Sequence, residues 1–261
     1  MILQKGGAGK TTTAVNLAAA LGELGLRLLV IDLDPQCNAS RYLGVTDLGR
    51  GLFEVFTEGR DLASLAQTTL APGVDLIAGS EWLVGIDKAL AGEVGAETIL
   101  RRALKALPAR WDVVLLDCPP SLGTLAVSAL VASDEFLVPV EMSAMALEGV
   151  RALMRTVQRV RERLNPQLGL AGVLACRFVG RTNLAHDCVD SLRKHFPGDV
   201  FASVIRENVR LKEAYSFGKP ITLYAPESSG AEDYRAAAAE FLARAKGPQT
   251  TKATKGKKGK R

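Results

Sequence analysis

The residues best suited to chemistry lie near the start of the chain, in Gln4-Lys5-Gly6-Gly7-Ala8-Gly9-Lys10-Thr11-Thr12-Thr13. Glycines at 6, 7 and 9 allow the backbone to turn tightly with its N–H groups pointing inward, which creates a concave anion-binding nest. A helix that follows adds its N-terminal N–H groups and its dipole. Lys10 is placed to reach β- and γ-phosphates, and the Thr11 hydroxyl is placed to ligate Mg²⁺. This pattern predicts a site for a nucleoside triphosphate, although Gln4 stands where the strict GxxxxGK[ST] motif has its first glycine.

Two acidic elements follow apolar runs further along the chain. Ile31-Asp32-Leu33-Asp34-Pro35-Gln36 closes one strand pattern, where alternation lets Asp32 and Asp34 share one side. The second run, VVLLD, delivers Asp117 and continues as Cys118-Pro119-Pro120-Ser121-Leu122-Gly123. Carboxylates at the C-terminal edge of a parallel sheet lie beside a phosphate loop, and one of them typically serves Mg²⁺.

The elements that must position these residues alternate between strand and helix patterns. The predicted strands are Arg27–Asp32, Val74–Ile77, Val113–Asp117, Phe136–Val140, Gly172–Cys176 and Val200–Ser203. The predicted helices are Thr11–Leu24, Thr98–Leu107, Leu125–Val131, Ala146–Leu164, Leu184–His195 and Ala231–Ala245. This alternation predicts an α/β fold, a mostly parallel twisted sheet with helices on both faces. Apart from Val74–Ile77, residues 44–96 are rich in glycine and mixed in period, and their elements are the least clearly predicted.

We expect one domain over residues 1–245 and a disordered basic tail over residues 246–261. The net charge of +5 comes from the tail, whose six Lys and one Arg leave −2 for the remainder. Only Met1, Ile2 and Leu3 precede the glycine-rich segment as strand residues, so either the first strand is short or the natural start lies upstream, which we favour. Four cysteines without a CxxC pair argue against a zinc ribbon and are expected to be buried thiols. A signal peptide and a spanning segment are not apparent, which indicates a cytoplasmic protein.

The three motifs together resemble the deviant Walker A ATPases, the ParA/MinD family. KGGAGKTT resembles the signature-lysine P-loop, DLDPQ the second motif, and VVLLDCPPSLG the Walker B and switch region. The segments RTNL at 181–184, NVRLKEA at 208–214 and FGKPI at 217–221 are similar to the C-terminal half of the ParA/Soj branch. The resemblance covers roughly residues 3–245 and implies a P-loop NTPase fold.

The resemblance also implies a function. We expect an ATP-dependent homodimer that binds non-specific double-stranded DNA, lies on the nucleoid and segregates chromosomes or plasmids under control of a ParB-type centromere-binding protein. Lys5 would reach the partner's nucleotide, Lys10 would hold phosphate, and Asp34 would position the attacking water. The implied nucleotide contacts are Lys5, Gly6, Gly7, Ala8, Gly9, Lys10, Thr11, Thr12, Asp117 and Asn208. The implied Mg²⁺ ligands are Thr11, Asp34 and Asp117, the last through water.

The DNA-binding surface is expected in the basic part of the chain. Residues 151–219 hold thirteen Lys and Arg against six Asp and Glu. The cations expected to contact DNA are Arg181, Arg193, Lys194, Arg210, Lys212 and Lys219. The two histidines, His186 and His195, are expected on the surface rather than as catalytic bases.

Two other functions compete with this interpretation. A MinD-like membrane cycle needs an apolar amphipathic C-terminal helix, which the Lys-rich tail does not offer. A reductase resembling the nitrogenase iron protein needs two cluster cysteines per chain, and no partner for Cys118 follows in the next fifty residues. One departure affects the nucleotide site, because Arg206 stands where the family has the proline of IPRN, in the region that binds the nucleotide base.

Overall fold

The structure is a computed structural model that describes residues 1–2, 7–143 and 146–245. Its described strands are β1 Leu28–Asp32, β2 Ala66–Thr68, β3 Val74–Ile77, β4 Val113–Asp117, β5 Glu135–Glu141, β6 Gly169–Phe178 and β7 Val200–Arg206. They form two runs, β2-β3-β1-β4 and β5-β6-β7. All pairs are parallel except β2 with β3. The six predicted strands are confirmed, and β5, β6 and β7 extend beyond their predicted bounds.

The N-terminal residues connect the two runs of strands. The Met1 nitrogen donates to Leu116 O at 2.6 Å, and Cys118 N donates to Met1 O at 3.3 Å, so Met1 lies against β4. Ile2 N donates to Leu137 O of β5 at 3.2 Å. We call this two-residue connection between β4 and β5 the seam. It places Met1 and Ile2, two of the three residues expected to form the first strand, in the middle of the described sheet.

The helices cover both faces of the sheet, as the sequence predicts. They are α1 Lys10–Glu23, α2 Asn38–Tyr42, α3 Gly51–Thr57, α4 Ile86–Ala89, α5 Ile99–Lys105, α6 Thr124–Ala132, α7 Ala146–Arg163, α8 Asn183–His195, α9 Val209–Ser216, α10 Ile221–Tyr224 and α11 Ser229–Ala245. Helices α1, α2, α9, α10 and α11 share one buried cluster with the sheet, and α3 to α8 share the other. No described helix has both the length and the apolar character required to cross a membrane.

Residues 44–96, the least clearly predicted region apart from Val74–Ile77, fold into short elements. It holds α3, α4, the antiparallel β2–β3 pair and the 3₁₀ turns Leu62–Leu65 and Glu81–Gly85. Elements of three to seven residues are too short for a hydrophobic period to appear. The predicted tail, residues 246–261, lies outside the described residues.

Candidate nucleotide site

The glycine-rich loop leads directly into α1 at the carboxyl edge of the sheet. Gly7 and Gly9 adopt φ of +75° and +86°, a left-handed conformation that favours glycine. Gly9 is the N-cap of α1, so the first N–H groups of the helix open toward the loop. Ala8 is buried between the two glycines. The predicted site residues Lys5 and Gly6 lie outside the described residues.

Thr11 and Asp117, both predicted Mg²⁺ ligands, meet at this edge. The Thr11 hydroxyl donates to Asp117 Oδ2 at 2.7 Å. Asp117 is fully buried, and its Oδ1 has no hydrogen-bond partner among the described residues. A buried carboxylate oxygen without a partner is costly, and hydroxyl, carboxylate and water oxygens are the ligands that Mg²⁺ prefers. The arrangement therefore fits a hydrated magnesium ion.

Burial dominates the electrostatics of the site. It lowers the pKa of Lys10, although Asp117 and Asp34 act in the opposite direction. Burial also raises the pKa of Asp117, and the neighbouring Asp32 carboxylate raises it further. Three acids, Asp32, Asp34 and Asp117, are thus buried near one lysine and are poorly solvated. The charges of a bound phosphate and metal ion would therefore interact strongly with them.

The carboxylates of Asp32 and Asp34 have different partners, which alternation along the strand did not predict. Strand β1 ends at Asp32, whose Oδ2 accepts bonds from Ser40 N at 2.9 Å and Ser40 Oγ at 2.7 Å. Asp32 therefore anchors the loop after β1. Asp34 lies in that loop, where its Oδ1 accepts from Gln36 N at 2.9 Å, and it lines the cavity above the glycine-rich loop.

A single cavity of about 750 Å³ extends from this loop toward α9. Its phosphate-loop end is lined by Gly7, Gly9, Lys10, Thr11 and Thr12. Asn208 lines the other end, where its Oδ1 accepts from Arg210 N at 2.8 Å and its Nδ2 donates to Ser229 Oγ at 2.8 Å. The Asn208 amide oxygen thus caps α9, and its amide nitrogen bonds to the first residue of α11. A cavity of this volume suits a nucleoside triphosphate.

Arg206 lines the same cavity and is held by residues of α11. Its backbone N donates to Asp233 Oδ2 at 2.8 Å, and its guanidinium pairs with Asp233 at 2.7 Å and with Glu232 at 3.1 Å. A proline at this position would have no N–H for Asp233. The departure from the family pattern therefore creates a structural clamp between β7 and α11.

Asn16 is a site-forming residue that the motifs did not reveal. It is fully buried, and its Nδ2 donates to Thr12 O at 2.7 Å and to Tyr42 Oη at 3.1 Å. Its Oδ1 accepts from Ile221 N at 2.7 Å. Asn16 thus ties the helix of the phosphate loop to α2 and α10. The available signal was an asparagine within the otherwise apolar and Ala-rich part of α1.

The six cations predicted to contact DNA are all exposed, but they come from both layers of helices. Arg193 and Lys194 lie on α8, which shares a buried cluster with α3 to α7, and Arg181 precedes that helix. Arg210 and Lys212 lie on α9 in the opposite layer, where Lys219 follows. His186 and His195 are also exposed, as expected.

A mostly parallel sheet, a glycine-rich loop entering a helix, and a threonine bonded to the aspartate of a neighbouring strand define a P-loop NTPase. Among solved structures the chain is similar to cobyrinic acid a,c-diamide synthase from Mycobacterium smegmatis with a bound ATP analog and magnesium. The identity is 32%, the TM-score is 0.82, and 94% of this chain and 93% of that one are covered. It is also similar to the septum site-determining protein MinD from Pyrococcus horikoshii complexed with Mg-ADP, at 27% identity, TM-score 0.73 and 90% coverage of each chain.

Comparison of sequences finds relatives of higher identity than these two solved structures. A family model described as an AAA domain matches residues 1–170. The chromosome-partitioning ATPase Soj of Thermus thermophilus is 48% identical over 92% of this chain and 93% of its own length. The sporulation initiation inhibitor protein Soj of Bacillus subtilis is 41% identical over 92% of this chain and 96% of its own. The chain belongs to the ParA/Soj family of chromosome-partitioning ATPases.

Proposed function

We propose that this chain is a Mg²⁺-dependent ATPase that segregates DNA by an ATP-controlled cycle of dimerisation and DNA binding. The observation that carries the proposal is the Thr11–Asp117 hydrogen bond of 2.7 Å beside the glycine-rich loop, with a buried carboxylate oxygen still to be satisfied. Bound Mg²⁺ would supply charge neutralisation for the phosphates. Thr11 would bind the ion directly, and Asp117 would hold it through water.

The protein's own residues would perform the remaining steps. The N–H groups at the start of α1 bind phosphate, and Lys10 contacts its β- and γ-oxygens. Asp34 orients the attacking water, and Lys5 completes the partner's site, so that dimerisation depends on the γ-phosphate. Thr12, Gly7 and Ala8 shape the loop, and Asn208 lies toward the base. A ParB-type protein would accelerate hydrolysis and so release the DNA.

The first experiment measures binding of the full chain to a duplex of arbitrary sequence at moderate salt, with ATP and with ADP. Binding with ATP only is expected. If the protein neutralises about six phosphates, raising the salt from 50 to 200 mM should lower its affinity for DNA about 10³-fold. Equal binding with both nucleotides would refute the nucleotide-controlled cycle, and a flat salt response would refute the basic surface.

Matched double variants then locate the surface. Arg193→Gln with Lys194→Gln tests α8, and Arg210→Gln with Lys212→Gln tests α9. Arg102→Gln with Lys105→Gln, a pair on the surface of α5, is the control. A tail variant with its six lysines changed to glutamine measures the share of residues 246–261. Each contributing pair should weaken binding and reduce the salt slope by about 2, because each lost phosphate contact removes about 0.9.

A further inference from the structure

Helix α7 has two stripes of side chains, and only one of them is packed into the core. Val150, Leu153 and Val160 belong to the buried stripe. The other stripe is exposed or half-buried, and its residues are separated by four, three, four and three positions: Leu147, Arg151, Met154, Gln158 and Arg161. This is the spacing of a coiled-coil seam, in which one helix receives another along its length. The outer face of α7 therefore has the geometry to pack against a further helix.

A groove of about 590 Å³ is formed by this outer stripe and the end of α8, and we call it the α7 groove. Its apolar lining residues are Leu147, Met154, Val157 and Phe196, of which Val157 is fully buried and the other three are half-buried. Covering half-buried apolar side chains with another apolar surface is favourable, because it removes them from water. The α7 groove can therefore stabilise a bound segment that carries apolar side chains.

Three arginines give the α7 groove a positive charge. Arg151, Arg155 and Arg161 line it, and none of its described lining residues is Asp or Glu. Arg151 Nη2 donates to His195 Nε2 at 3.3 Å, and Arg161 Nε donates to Leu168 O at 2.7 Å, but neither acceptor carries a negative charge. Across the described part of the chain most other arginines form an ion pair, whereas these three form none. The groove is therefore suited to carboxylates.

We propose that the α7 groove binds an acidic amphipathic helix of a partner protein. The apolar side chains of that helix cover the apolar lining of the groove, and its carboxylates pair with the three arginines. Recognition of an amphipathic helix uses anchors at helical spacing along one face, which matches the spacing of the outer stripe of α7. From Leu147 to Arg161 this stripe extends about 21 Å, the length of about four helical turns.

The composition of the α7 groove distinguishes this occupant from two others. Residues 246–261 of the same chain hold six Lys and one Arg and no acid, so the arginines repel them. The phosphates of duplex DNA match the arginines but offer no apolar surface to the lining residues. An acidic amphipathic helix satisfies both features at once. The inference does not depend on the nucleotide site, because no described residue lines both the α7 groove and the nucleotide cavity.

The probe is a fluorescent synthetic helix of about 18 residues, or about five turns. It has leucine at heptad positions a and d, glutamate at e and g, and alanine elsewhere. Two control peptides replace every glutamate with lysine or every leucine with serine. Fluorescence anisotropy with the full wild-type chain should show about tenfold tighter binding of the acidic peptide than of either control, since two surface ion pairs or one buried leucine account for that factor.

Variants of α7 locate the binding. Arg151→Gln with Arg155→Gln removes two of the arginines and should weaken the acidic peptide about tenfold. Met154→Glu places a negative charge in the apolar lining and should weaken the peptide by a similar factor. The matched control, Arg102→Gln with Lys105→Gln, removes two exposed cations of α5 and should bind the peptide as the wild type does. Thermal unfolding of each variant verifies that it is folded.

Three results would overturn the inference. Equal binding of the three peptides would mean that the groove does not select an acidic amphipathic helix. Loss of the acidic peptide by a tail variant with its six lysines changed to glutamine would mean that the tail holds it. An α7 double variant that lost duplex DNA but kept the peptide would make the groove a DNA contact. The α7 variants should keep the wild-type rate of ATP hydrolysis, so failure of this inference is distinguishable from failure of the proposed function.

Discussion

Replacing Asn16 with alanine should destabilise the whole fold. The substitution removes three hydrogen bonds, to Thr12 O, Tyr42 Oη and Ile221 N, with lengths of 2.7, 3.1 and 2.7 Å. Each bond contributes about 1 kcal/mol net, and the buried Ile221 N–H loses its acceptor, which costs about 1 kcal/mol more. We therefore expect a loss of about 4 kcal/mol, or a decrease of about 10 °C in Tm for a chain of this size.

Urea unfolding followed by circular dichroism measures this loss, provided that the slope with denaturant is unchanged. Asn38→Ala is the matched control, because Asn38 Oδ1 accepts one exposed bond from Tyr215 Oη at 2.9 Å and its loss should cost under about 0.5 kcal/mol. An Asn16→Ala variant within about 1 kcal/mol of the wild type would refute the reasoning. That result would mean that water or a shifted side chain replaces all three bonds.

Two further predictions concern the acidic residues of the site. Asp34→Ala should still dimerise and bind DNA with ATP but hydrolyse it about 100-fold more slowly, since a positioned group contributes roughly that factor; a wild-type rate of phosphate release would remove Asp34 from this role. Burial and Asp32 raise the pKa of Asp117 to about 7, so the ligand-free fold loses stability as pH rises from about 4 through that value. Asp117→Asn should therefore raise the Tm at about pH 8 by roughly 5 °C, about 2 kcal/mol, and change it little near about pH 4.5. Asp112→Asn is the control of opposite sign, because Arg27 lowers the pKa of that exposed carboxyl; scanning fluorimetry that showed no gain at the higher pH for Asp117→Asn would contradict the argument.

The long periodic elements and the phosphate loop could be predicted from the sequence. Strands such as Val113–Asp117 are continuous apolar runs, and helices such as α7 and α8 carry a clear amphipathic period, so local pattern and tertiary burial agree. Helices α2, α4 and α10 have four or five residues and are stabilised by tertiary contacts, which no local pattern records.

Within the site, residue type indicated chemistry but did not indicate geometry. Thr11 and Asp117 are 106 positions apart, yet the motif order correctly predicted that they meet. The left-handed conformation of Arg177 could not be predicted, because an arginine offers no preference for positive φ. The expectation that Asp32 and Asp34 can share one side requires strand alternation beyond Asp32, where β1 ends, so the separate surroundings of the two carboxylates could not be predicted.

The seam has a consequence for how the chain assembles during synthesis. The run β2-β3-β1-β4 is formed by residues 28–117, and the run β5-β6-β7 by residues 135–206, so each half of the sheet comes from its own continuous stretch of chain. Met1 bonds to residues of the first half, and Ile2 N donates to Leu137 O of the second half. On the ribosome, residues translated before either half must wait for β5 to emerge before they can pair with it. Closing the sheet is thus a late, long-range step that uses residues made before both halves.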